Sequence, residues 1–173
     1  MKIQRNLIEL TLIFLLIFAV GLTNCYAQKK ISVSGEIKFT FTKIERFNIG
    51  DVDGHSFSIT ESTGTNTNTG SNVFMDGAKV IHYGFSDMIK GNGPQQGYNK
   101  FVSDNGSFFV KYEGKVKTVL SSEGKEISTF EGKYTWIGGT GQYENIQGKG
   151  TYEGSFTSDK EYTVNWEGKY HIK

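Results

Sequence analysis

Cysteine is almost missing from this chain. Cys25 is the only one in 173 residues, so no disulfide framework can form within it. Its stability must therefore come from a core. Charge of one sign is missing as well. The whole chain carries a formal net charge of +1. Loss of a leader holding Lys2, Arg5 and Glu9 lowers the basic residues from 19 to 17 and the acidic from 18 to 17. A neutral chain exerts no general pull on nucleic acid or on anionic lipid, and neither is expected as a partner. Proline is nearly absent, Pro94 being the single one. A sustained 3.6-residue period is absent from residues 28–173. Aromatic and β-branched residues are instead spaced by Gly, Asn and Asp, the pattern of many short strands and turns. The expected class is all-β.

Several kinds of site are missing too. The three histidines, His55, His82 and His171, form no HxH or HxxxH pair, so no histidine metal site is expected. Asp51-x-Asp53-Gly54 starts like a calcium loop but lacks the later ligands, and it reads as a turn. There is no Gly-x-Ser-x-Gly elbow. GGTG at 138–141 looks like a phosphate cradle. The residues that follow, QYENIQGKGTYEGSF, contain further glycines and then alternate as a strand. A phosphate loop needs a helix at that point, so nucleotide binding is set aside and GGTG reads as a tight connection.

What is present begins at the N-terminus. Lys2 and Arg5 precede the apolar run LTLIFLLIFAVGL at 10–22. This is a basic region followed by an apolar stretch of signal-peptide length, and it is shorter than the roughly 20 residues of a membrane span. Ala27 suits ordinary cleavage, which makes 1–27 a signal peptide and 28–173 a single domain with no membrane span. The expected location is periplasmic or secreted. The alternative is a lipoprotein anchored through Cys25.

Beyond the leader, Ile31–Phe41 alternates, with Ile31, Val33, Gly35, Ile37, Phe39 and Phe41 on one face and Ser32, Ser34, Glu36, Lys38 and Thr40 on the other. Phe57 and Ile59 mark a short strand. STGTNTNTGSN at 62–72 is small and polar and reads as a flexible loop. Val80–Phe85 reads as a strand, KGNGPQQG at 90–97 as a turn-rich connection, and Asn105-Gly106 as a hairpin turn. An aromatic–Glu–Gly unit then occurs four times, as YEGK, FEGK, YEGS and WEGK at 112–115, 130–133, 152–155 and 166–169. Period-2 alternation places each aromatic and glycine inward and each glutamate outward. The glutamates are therefore a solvated outer face rather than a catalytic set. Inward glycines mark bends or close approaches, the devices with which a coiled sheet closes. They also leave room for a pocket lined by Tyr112, Phe130, Tyr134, Trp136, Tyr152, Trp166 and Tyr170.

The segment WIGGTGQYENIQGKGTYEGSF, with VNWEGKY after it and GYNKFVSDNGSFFVKYEGK before it, resembles the C-terminal half of the allene oxide cyclase-like β-barrels, a group related to the dirigent proteins. The resemblance covers roughly 97–172. It implies a closed antiparallel barrel of about eight strands, an apolar cavity and no cofactor. It also suggests a homo-oligomer, and it carries over no catalytic residue. Three readings stay open. One is an exported barrel that binds a small apolar or aromatic molecule. Another is a cyclase- or dirigent-like isomerase, whose polar group would be a residue such as Glu45, His82 or Asp87. The third is a structural or interaction module with a filled barrel.

Overall fold

The computed structural model describes residues 29–173, and the expected leader with Cys25 and its cleavage point lies outside the described residues. Eight strands follow one another: β1 (Ile31–Asn48), β2 (His55–Asn68), β3 (Lys79–Ile89), β4 (Gly93–Ser103), β5 (Gly106–Leu120), β6 (Glu126–Gly139), β7 (Ile146–Phe156) and β8 (Glu161–Ile172). Each pairs antiparallel with the next, and β8 returns to β1, so the sheet is a closed barrel. Closure removes both sheet edges. An eight-stranded barrel is just wide enough to be filled by side chains or to hold one small ligand.

The alternation expected for β1 and for β5–β8 is present. Val33, Ile37, Phe39, Val110, Tyr112, Phe130, Tyr134, Trp136, Tyr162 and Trp166 are buried, and the intervening glutamates and lysines face solvent. Lys115 and Glu131 pair across the outer face at 3.0 Å.

The inward glycines sit directly across from inward aromatics. Gly132 is paired with Tyr152, Gly154 with Phe130 and Gly150 with Tyr134. Gly35 is paired with Trp166. In each case the ring lies over the glycine. A methyl at Gly132 would collide with the Glu113 carbonyl oxygen and sit 2.5 Å from the Tyr152 hydroxyl, and one at Gly154 would collide with the Thr163 carbonyl oxygen and sit 2.5 Å from the Phe130 ring. The glycines are therefore slots that let the rings lie flat along the wall instead of crowding the axis.

Three expectations need correction. Ser62–Asn68 is not a flexible loop but the second half of β2. Its threonines 63, 65 and 67 face outward, while Ser62 and Asn66 are buried. Small inward residues are needed there because large rings arrive from the neighbouring strands. Asn66 donates through Nδ2 to the Met75 carbonyl at 2.7 Å and accepts from Trp166 Nε1 at 2.9 Å. It thereby fixes the 69–78 connection, whose Phe74 packs on Phe108, Tyr143 and Tyr170. This connection plugs one end of the barrel. Residues 93–97 are likewise strand, so the β3–β4 turn is only 90–92. Phe57 and Ile59 belong to β2 but point outward, where Phe57 meets Phe85. The GGTG connection holds a three-residue 3-10 turn, Gly141–Tyr143, with Gly141 at φ 61°. It carries Tyr143 into the plug and is too short to offer an anion a helix N-terminus.

Gly132→Ala is expected to lower stability by about 1–3 kcal/mol, the usual cost of overpacking, whereas Thr135→Ala on the outer face should change it by less than about 0.5 kcal/mol. Chemical denaturation of both variants checks this, and an undisturbed Gly132→Ala would remove the slot explanation.

Candidate functional site

The plug occupies one end only. Toward the other end, formed by the β1–β2, β3–β4, β5–β6 and β7–β8 connections, the barrel encloses a cavity of about 870 Å³. This is within the range of small-molecule sites. Its existence follows from the glycine slots and from the small inward residues of β2. A register shift between Phe41 and Lys43 extends it. Past this bulge β1 turns even-numbered residues inward, and Ile44 and Arg46 line the cavity near its mouth.

The walls differ in chemistry. β1 and β5–β8 supply Phe41, Ile44, Val116, Phe130, Phe156 and Val164. β2–β4 supply Ser56, Ser58, Thr60, His82, Ser86, Gln95 and Asn99. The charged side chains, Arg46, Lys90, Glu126 and Asp159, all come from strand ends or turns at the mouth. Lys90 is already paired with Asp53 at 3.0 Å.

His82, opposite Asn99, stands at the deep end of the polar wall. Its Nδ1 lies 2.9 Å from Asn99 Oδ1 and its Nε2 lies 3.4 Å from the Tyr112 hydroxyl. This geometry suits an Nδ1–H donor to Asn99 and an Nε2 lone pair turned to the Tyr112 O–H. The ring is stacked near Tyr112, with centroids 5.5 Å apart. Enclosure by protein pushes its pKa down to about 4, and the Asn99 hydrogen bond offsets this only in part. The imidazole is therefore neutral near pH 7. Burial also raises the phenols of Tyr112, Tyr152 and Tyr162, so all three keep their protons. Tyr152 accepts a hydrogen bond from Gln95 Nε2 at 3.3 Å. The Tyr162 hydroxyl has Ser62 as its polar neighbour, yet neither oxygen completes a hydrogen bond of normal geometry with another protein group.

Six of the seven aromatics expected to line a pocket do so: Tyr112, Phe130, Tyr134, Trp136, Tyr152 and Trp166. Tyr170 does not. It packs on Phe74 in the plug, with centroids 4.7 Å apart, because its register on β8 places it at the closed end. Of the polar candidates, His82 alone faces the interior. Glu45 pairs outside with Lys43 at 2.6 Å. Asp87 meets His55 Nε2 at 2.7 Å on the outer side of β3, and His55 also contacts Asp51. The two carboxylates raise the His55 pKa, Asp51 having the larger effect. Asp51 and Asp53 each serve a turn contact, and the described residues contain no group of three or more metal-ligating side chains.

The polar wall was missed by sequence reasoning. The signal was there: inward Ser58, Ser62 and Asn66 alternate with outward Ile59, Thr63 and Thr65, and Gln95 and Asn99 keep the same period on β4. It was hidden because the pattern is small-polar inside rather than apolar inside. No family model matches the chain, and no curated protein matches it with significance.

The depressed His82 pKa has a definite sign in stability. Above pH 6.5 the imidazole is neutral in both states. As pH falls from 6.5 toward about 4, the unfolded chain takes up the proton first and the native state loses roughly 3 kcal/mol of relative stability. His82→Gln should lose roughly 2 kcal/mol less than the parent between pH 7 and pH 4.5. Denaturant titrations at the two pH values measure this, and parallel losses in both proteins would contradict it.

Proposed function

We propose that the protein is a carrier or receptor that holds one small apolar or aromatic molecule inside the barrel. The carrying observation is the cavity of about 870 Å³ left open above a tightly packed plug. Aromatic walls with convergent polar groups around one deep cavity are the usual anatomy of a small-molecule site. Membership in the allene oxide cyclase-like group is part of this proposal and is supported by the closed eight-stranded barrel. A cyclase-like activity would have to work through the neutral His82–Tyr112 pair, since among the described residues no carboxylate faces the deep interior. Binding is the simpler reading, because a histidine with a pKa near 4 is a weak base at neutral pH. Export, with Gln28 as the first residue of the mature protein, belongs to the same reading.

Binding should be visible by calorimetry or ligand-observed NMR with a panel of two-ring aromatics and aliphatic alcohols, at micromolar affinity. Val116→Trp narrows the cavity beside Phe130 and should weaken binding by about tenfold or more while leaving the folded circular dichroism unchanged. An unchanged affinity in Val116→Trp would place the site elsewhere.

A second reading has its own observation. The outer face is not uniform. β1–β4 expose Phe47, Ile59, Tyr83, Phe85 and Tyr98, whereas the exposed apolar residues of β5–β8, among them Phe109, Ile127 and Ile137, are interspersed with lysines and glutamates. These adjoin through the register, Ile59 opposite Phe85 and Tyr83 opposite Tyr98. Contiguous exposed aromatics of this kind mark interaction surfaces. A second copy of the chain would cover them in a homo-oligomer. Light scattering should then show a dimer or larger species that Tyr83→Glu with Tyr98→Glu converts to monomer. A monomeric parent at high concentration would end this reading.

A further inference from the structure

The cavity is two-sided, and its polar side is free of charge. Along β3 and β4 the inward residues His82, Ser86, Gln95 and Asn99 stand in two cross-strand pairs, His82 opposite Asn99 and Ser86 opposite Gln95. These groups are only partly engaged. Asn99 Oδ1 is used by His82, and its amide nitrogen is left to donate. Gln95 donates one N–H to Tyr152, which leaves its carbonyl oxygen to accept and the Tyr152 O–H to donate. Ser86 adds a hydroxyl directly opposite Gln95, four residues along β3 from His82. All four residues are partly exposed to the cavity. Facing them are Phe41, Val116, Phe130 and Phe156.

Resting on the binding reading above, we propose that the ligand is an uncharged ring molecule with neutral oxygen groups, carbonyl or hydroxyl, along one edge. That edge lies against Ser86 and Gln95. Its hydrocarbon side lies against β5–β8. Two physical arguments select this class. A pure hydrocarbon would strip water from the amides and hydroxyls without replacing its hydrogen bonds. A carboxylate would bring a charge into a wall with no cation to pair it, because Arg46 and Lys90 sit at the mouth. The neutral state of His82 near pH 7 removes the one side chain that could have supplied a positive charge at depth.

The test is a matched series measured by calorimetry at pH 7: 2-acetylnaphthalene, 2-ethylnaphthalene and 2-naphthoate. The rings are the same, and the substituent alone changes from neutral acceptor to hydrocarbon to anion. The ketone should bind about tenfold tighter than either of the others, the scale of one or two net hydrogen bonds. In a Ser86→Ala, Gln95→Met double variant the ketone should fall to the affinity of the hydrocarbon, while 2-ethylnaphthalene stays within about twofold of the parent value. Equal binding of all three, tightest binding of the naphthoate, or a ketone preference that survives the double variant would overturn the selectivity and leave the binding reading standing. If none of the three binds, at concentrations up to their solubility, the binding reading falls and the selectivity falls with it. Thr135→Ala, on the outer face of β6, serves as the variant that should alter none of these values.

Discussion

A ring laid over a glycine on the neighbouring strand is the contact on which the other features of this barrel depend. Eight strands enclose little space, and inward Tyr, Phe and Trp residues would ordinarily fill it. Here Tyr152 lies over Gly132, Phe130 over Gly154 and Trp166 over Gly35. The missing Cβ atoms make room for the rings in the wall itself. The aromatic surface is then buried against backbone, which is favourable, while the axis above the plug stays open. Curvature and cavity, which look like competing explanations of the glycines, come from the same packing.

The plug completes the arrangement. Its anchor is a polar residue: Asn66 holds the Phe74–Met75 carbonyls on one side and the Trp166 indole on the other. Phe74 then packs among Phe108, Trp136, Tyr143 and Trp166. One buried amide thus ties an otherwise polar connection to the aromatic core. Beyond the plug the division of labour is by strand. Toward the mouth, β2–β4 turn Ser58, Thr60, Ser86 and Gln95 inward and Ile59, Tyr83, Phe85 and Tyr98 outward, whereas β5–β8 turn mainly aromatics inward. The same inversion gives the cavity its polar wall and the outer surface its aromatic half.

That inversion also explains how far the sequence could be read. In β5 to β8 and the first half of β1, aromatic and charged residues alternate with period 2, and hydrophobic-in is the rule. Their faces, the outward glutamates and the all-β class were legible there. In β2 the rule runs backwards. Ser62, Gly64 and Asn66 point in, and low complexity concealed a strand whose outward threonines carry a β-branched signal. In β4 the glycines and the proline resemble turn residues, and only pairing with β3 and β5 makes Gly93–Gly97 a strand. Tyr170 shows a different limit. Its inward direction was readable, but its depth along the barrel depends on the stagger between β7 and β8.

What the sequence by itself determined is therefore direction: which side chains leave each face of a strand, since that follows from local alternation alone. It also set the absence of disulfides and of deep carboxylates on β5–β8. What only the tertiary structure decided is position around and along the axis. Closure of β8 onto β1 and the register of each pair determine which ring meets which glycine and which end the 69–78 connection seals. They also bring His82, Gln95 and Asn99 together on one wall. These are relations between residues far apart in the chain, and cross-strand hydrogen bonds set them where no local pattern can.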